Sequence, residues 1–196
     1  MSDYSSKLKN GMLLFHGSYA KVEKIDLGMC ENAKDFGKGF YLTSDVNQAR
    51  SFIKSSIIKA QNSGDALPDQ NYGYISSFRY YEPKNGILTY EFLEANKEWL
   101  WFIAQNRRST LAKKLAPKLD SRIFNAEIII GKVANDKTNA TIMTYLGGLL
   151  GEIDTEQAVN TAINMLLPNK LEDQFCFLTE ASISCLKFQE ARRYDI

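Results

Sequence analysis

Histidine occurs once in this 196-residue chain, cysteine three times and proline four times, and each scarcity excludes something. A single imidazole at His16, with cysteines at 30, 176 and 185 that show no paired spacing, does not make a zinc site, so no metal is expected. Three widely spaced cysteines do not form a disulfide framework either. With no apolar leader-like stretch at the start, free thiols and a reducing cytoplasm are expected, delivery into another cell as an effector or toxin staying open. Spacing leaves a Cys–His nucleophile pair open, because such partners meet only in space. No apolar run approaches the roughly 18–20 residues that cross a bilayer, so no membrane partner is expected. Net charge is +1, which removes any global electrostatic footprint for nucleic acid or an anionic surface. Internal repeats and low-complexity blocks are also missing.

What remains is an ordinary globular composition, 44% hydrophobic and 24% charged, long enough for one domain with a real core. One local charge excess stands out: "RRSTLAKKLAPKLDSR", residues 107–122, carries six basic residues against one acidic. It reads as a solvated helix face, with a phosphate-facing patch as the alternative.

"GMLLFHGS" predicts a short buried strand ended by Gly17-Ser18, and residues 19–38 a loop. "GFYLTS" predicts a second strand. A helix follows, capped by Ser44 or Asp45, with Val46, Ala49, Phe52, Ile53, Ile57 and Ala60 on one face. Residues 62–73 are rich in turn formers. "YISSFRYY" and "GILTYEF" predict strands joined by a hairpin-like "EPKNG" turn. Residues 94–108 fit a helix burying Trp99, Leu100, Phe102 and Ile103, and "AEIIIGKVAN" is the clearest central strand. Asp136 reads as the cap of a helix near 138–147. A second short helix near 154–167 reads as capped by Asp154, with Gln157 reciprocal and Pro168-Asn169 as its stop. "QFCFLT" and "CLKFQ" close the chain as strands. Mixed order without strand–helix alternation argues for α+β.

"GKGFYL" is not a phosphate loop: no Ser or Thr follows Gly37-Lys38, and Asn32 stands where the first glycine belongs. It is not a dinucleotide fingerprint either, lacking the third glycine and leading into a strand. The chemistry lies elsewhere. Tyr41 and Thr43 are two apart on a strand and share a face, where a tyrosine ring offers a wall for a flat ligand. Glycine after His16 lets an amide approach the main chain, and imidazole can bond a sugar hydroxyl. A flat ring, a carboxamide and a ribose together describe the nicotinamide end of NAD. The bland alternatives are a core histidine at a strand end, a core tyrosine, and glycines that only shape a turn.

"FHGS" followed by "FGKGFYLTSDVNQARSF" resembles the His-Gly and Gly-Lys-Gly-x-Tyr stretches of the poly-ADP-ribose polymerases. More broadly it resembles the diphtheria-toxin-like branch of the ADP-ribosyltransferase superfamily. "EWLWFIAQNR", "AEIIIGKVANDKT" and "EDQFCFLTEASISCLKF" are similar to an uncharacterised bacterial family of that superfamily, to about residue 188. The resemblance implies an α+β ADP-ribosyltransferase fold: two small, mostly antiparallel sheets with flanking helices and an NAD cleft. It implies a single domain over 1–196 with a helical insertion near 91–122. By resemblance His16 would hold the adenosine ribose, Gly17 the nicotinamide amide with Ser18 beside it, and Tyr41 would stack on the ring with Thr43 nearby. Arg107, after Asn106 at a helix end, is either a structural ion pair or a bidentate donor to the pyrophosphate.

The superfamily's late acidic position here holds Gln174, which keeps hydrogen bonds but no charge. Glu172, two residues earlier, is the visible compensator, so Gln174, Glu172 and Tyr41 are the catalytic candidates. The expected function is mono-ADP-ribosyl transfer from NAD, as substrate, to an unidentified protein, nucleic acid or small acceptor. The alternatives are an NAD glycohydrolase and a weakly catalytic NAD or ADP-ribose binding module.

Overall fold

The computed structural model describes residues 6–134, 138–166 and 172–196. The apolar run around His16 forms β1 (Leu13–Ser18), and the tyrosine strand forms β2 (Phe40–Thr43). Helix α1 (Val46–Ser63) starts at Asp45, whose carboxylate accepts the Asn47 N–H, and stops at Gly64, where φ of 83° is left-handed backbone that suits glycine. Its stripe of Ala49, Ile53, Ile57 and Ala60 is buried on β1 and on β3 (Tyr72–Tyr80). Val46 and Phe52, expected on the same face, lie at its margin and are 39% and 37% exposed.

Next come β4 (Thr89–Glu91) and α2 (Lys97–Arg107), capped by Asn96, whose side chain accepts the Trp99 N–H. Glu98 in the first turn and Arg107 in the last complement the helix dipole. Trp99, Leu100 and Ile103 are wholly buried, each worth roughly 1.5–3 kcal/mol relative to exposure. The short helices α3 (Ser109–Ala112) and α4 (Ser121–Asn125) lead to β5 (Ile128–Lys132). Then follow α5 (Thr138–Leu146), α6 (Glu156–Leu166), β6 (Asp173–Phe177), α7 (Glu180–Ile183) and β7 (Leu186–Asp195).

The class is α+β. In place of the two sheets expected, the strands form one seven-stranded sheet in the order β4-β5-β6-β2-β1-β3-β7. The reason is β2, which pairs with β6 on one side and β1 on the other, bridging where a gap was expected. That bridge is narrow: β1 and β2 meet at the single pair Phe15–Thr43.

The expected hairpin between the third and fourth strands does not form. Both edges of β3 are taken, by β1 and β7, and β4 lies at the far edge, parallel to β5. A parallel pair needs a long crossover, and the helices of residues 97–125 supply it. At α6 the cap is Thr155, whose hydroxyl accepts the Ala158 N–H, and not Asp154, whose carboxylate pairs with Lys118 at 2.6 Å. The expected cap Asp136 and the expected stop at Pro168-Asn169 lie outside the described residues.

Side chains alternate across the sheet. Leu14, Phe40, Leu42, Ile128, Ile130, Phe175 and Phe177 pack in one cluster with Phe78. Ile129 and Cys176 face α2, α5 and α6 in another, with Tyr41 against it. Among the described residues no helix is long and apolar enough to cross a membrane.

Candidate functional site

The candidate residues gather where β1 leaves β2. Met12 C=O accepts the Tyr80 N–H, so the even-numbered residues of β1 turn their main-chain groups to β3 and the odd-numbered ones to β2. Phe15 uses that direction to pair with Thr43; Gly17, next in line, has its N–H and C=O aimed the same way with no β2 partner in register. On the facing strand the Tyr41 carbonyl is taken by the ring of His16, at 2.9 Å from Nδ1. A carbonyl only accepts, so Nδ1 carries the proton and Nε2 is left as an acceptor on the neutral ring. One face of the imidazole rests on Phe40, with centroids 4.5 Å apart. Burial lowers the His16 pKa from the ordinary 6.5, opposed by the Tyr41 carbonyl and reinforced by Lys34.

Gly17 is fixed by packing: a Cβ there would lie 1.8 Å from the Ala49 carbonyl oxygen of α1. Its bare Cα seats the helix, while its main-chain edge faces the junction. Ser18 ends the strand as a turn residue, its hydroxyl accepting the Ala20 N–H. In the Gly-Lys-Gly stretch, Gly37 has φ of 92°, and Gly39 lies so close to β6 that a Cβ would sit 2.6 Å from Cys176 Sγ. The Tyr41 phenol closes this loop, donating to Gly37 C=O at 2.8 Å and accepting the Phe36 N–H at 2.9 Å. Burial, then Cys176 and the charge of Asp35, hold its pKa well above the usual value, so the phenol is a neutral strut.

Thr43 and Gln174 are direct cross-strand partners, and Gly131 of β5 completes the row. A Cβ at Gly131 would lie 3.0 Å from the Phe36 ring, so the bare position lets Phe36 lie against the sheet. Phe36 is anchored between Phe92 and Phe102, and this brings the preceding residue, Asp35, over Gln174. Asp35 Oδ2 accepts from Gln174 Nε2 at 2.9 Å and from Ala134 N–H at 3.3 Å. Its Oδ1 accepts from both Nε and Nη2 of Arg107, at 2.9 and 2.7 Å. Asn106 Nδ2 donates to the Asp35 main-chain oxygen at 3.1 Å. Arg107 therefore makes an ion pair with Asp35 through Nε and Nη2. Thr43 Oγ1 accepts from Gln48 Nε2 at 3.2 Å, and Gln48 Oε1 accepts the Glu172 N–H at 2.9 Å. Glu172 itself lies one residue before β6, its side chain exposed.

Two chains of contacts thus link the candidates: His16 to Tyr41 to the loop of residues 36–37, and Arg107 to Asp35 to Gln174, with Thr43, Gln48 and Glu172 alongside. Asp35, Gln48 and Asn106 are the members that sequence reasoning did not assign to the site. Asp35 and Arg107 are 72 positions apart, and no spacing rule joins them. Burial raises the pKa of all three cysteine thiols, the opposite of a reactive thiolate. Among the described residues no group of His, Cys, Asp and Glu is arranged to hold a metal ion. Two surface cavities, about 430 and 240 Å³, are lined by other residues, among them Tyr19, Glu31 and Lys59 in one and Arg50, Lys54 and Tyr194 in the other.

The fold is thus an α+β sheet pinched at its middle, with a polar cluster beside the pinch. The chain belongs to the family described as protein of unknown function (DUF3990), whose model matches residues 12–188. No curated protein matches it.

Proposed function

We propose that the protein binds NAD at the β1–β2 junction and transfers its ADP-ribose to an acceptor, releasing nicotinamide. The single observation behind this reading is the junction itself. One strand pair forms, the next main-chain edge, at Gly17, is left without a β2 partner, and the imidazole bonds the facing carbonyl with Nε2 left over. A carboxamide has one donor end and one acceptor end, matching the N–H and C=O of Gly17. The Tyr41 ring lies on the strand facing it, and a ribose hydroxyl is a donor for His16 Nε2. In the reaction the bond between the ribose carbon and the nicotinamide nitrogen breaks, and its electron pair leaves with nicotinamide. The acceptor bonds to the ribose carbon and gives up a proton.

A second reading, an NAD or ADP-ribose binding module, is favoured by one feature. Gln174 is neutral and Asp35, the nearest carboxylate, is neutralised by Arg107. Among the described residues the developing ribose cation then has no unpaired carboxylate bonded to Gln174, Glu172 being exposed one residue before β6. Every 1.4 kcal/mol so lost slows the step about tenfold. Calorimetry with NAD, together with chromatography of released nicotinamide, separates the two readings. Transfer predicts binding with nicotinamide release that rises with acceptor; a module predicts binding alone; ADP-ribose appearing without any acceptor marks a glycohydrolase. His16→Ala and Tyr41→Ala should each weaken NAD binding, and unchanged affinity in both would refute the assignment.

A further inference from the structure

The buried pair of Asp35 and Gln174 does more than fill space. Asp35 is 4% exposed and Gln174 8% exposed. Both partners of the Gln174 amide nitrogen, Asp35 Oδ2 at 2.9 Å and Lys132 C=O at 3.4 Å, can only accept. Turning the amide over would set its oxygen against two oxygens, so the nitrogen end is held inward. Oε1 takes no partner among the described residues, nor is it among the fully enclosed polar atoms that lack one. The site therefore shows a carbonyl oxygen and hides the amine.

We infer that Asp35 is a positioning residue that locks Gln174 as a pure hydrogen-bond acceptor for a ligand hydroxyl, and that its carboxylate is the reason position 174 is an amide. This rests on the NAD reading for the identity of the hydroxyl, which would belong to the ribose next to nicotinamide, but not for the pair itself. A glutamate at 174 would bring a second carboxylate within hydrogen-bond distance of the first. Two such groups cannot both ionise and share one proton. Arg107 of α2 pairs with Asp35, the charge of Asp35 acts on Tyr41 of β2 and Cys176 of β6, and Lys132 of β5 turns its ammonium to Asp173 at 3.4 Å. Arg107 stays paired with Asp35, and burial holds Tyr41 and Cys176 well above their usual values.

The test compares wild type, Gln174→Glu, Asp35→Asn and the charge-exchanged Asp35→Asn/Gln174→Glu. The thermal midpoint of each is read between about pH 5 and pH 9, alone and with NAD. In Gln174→Glu the folded state holds an extra proton that the unfolded chain does not. Its midpoint should therefore fall, relative to wild type, as pH rises; the His16 contribution is common to all four proteins and cancels. The double variant, with one carboxylate again, should lose that slope. Asp35→Asn should weaken NAD binding by about tenfold, the value of one ligand hydrogen bond, with Gln174 itself unchanged. The double variant, whose carboxylate stands at 174, should release nicotinamide faster than Gln174→Glu at neutral pH. Parallel wild-type and Gln174→Glu curves would overturn the inference whatever NAD does. If the slope appears but no variant binds NAD, the pair stands and the NAD reading falls. Should Asp35→Asn not fold, the Gln174→Glu curve decides alone.

Discussion

Replacing Tyr41 with phenylalanine isolates what its hydroxyl does, because the ring stays. Two hydrogen bonds disappear: the one accepted from Phe36 N–H and the one donated to Gly37 C=O. Phe36 is 1% exposed, so its N–H is left buried and unpartnered, at about 1–3 kcal/mol. The Gly37 carbonyl loses a second, smaller contribution. The sum is about 2–3 kcal/mol, and for a chain of this length each kcal/mol moves the thermal midpoint by about 2–4 °C, giving a fall of roughly 5–10 °C. Urea unfolding followed by circular dichroism would read the same loss as a lower midpoint with an unchanged slope. Amide exchange should show the Phe36 proton losing protection first. On the proposed NAD reading, stabilisation by saturating NAD should persist, because the ring is kept. A loss below about 0.5 kcal/mol would refute the strut role.

Gly17→Ala must push a methyl into the Ala49 carbonyl, which is backbone and cannot rotate away. The cost should reach about 3 kcal/mol or more, seen as low soluble yield and a depressed midpoint, and a stable Gly17→Ala protein would contradict the helix seating. The lone histidine gives an unambiguous nitrogen NMR signal: Nδ1 should be the protonated nitrogen and Nε2 the bare one at neutral pH. Because its folded pKa lies below the ordinary 6.5, the stability it contributes should be complete above that value and decline as pH falls below it. His16→Gln should flatten that part of the pH profile, and an unchanged profile would place the histidine in water.

The elements were readable where periodicity and capping agreed. Ala49, Ile53 and Ile57 mark the buried stripe of α1, because a helix on a sheet hides one face. In α2 Trp99, Leu100, Phe102 and Ile103 are buried as expected, but so are Trp101 and Ala104, so that helix is enclosed on all sides. Pairing was not readable. The "EPKNG" turn suits a hairpin locally, but β3 finds its partners in β1 and in β7, more than a hundred residues later. Local turn chemistry cannot register competition from a distant strand. For the site, His16, Tyr41 and Gln174 carried recognisable motifs. Asp35 carried none, since its importance comes from Arg107 and Gln174, which only the fold brings to it. Asp154 shows the same limit: its capping pattern is sound, yet Lys118 draws its carboxylate away and Thr155 serves instead.

The order of strands across the sheet has a bearing on synthesis. The earliest strands lie in the middle, and their outer partners, β6 and β7, end at residues 177 and 195. A chain emerging from the ribosome must therefore carry β2 and β3 as bare edges until β6 and β7 have been made. Closing contacts between positions such as 41 and 176 involves long loops, and loops of that kind slow folding. Any product cut short before β6 would retain His16 and Tyr41 yet lack the strand that carries Gln174.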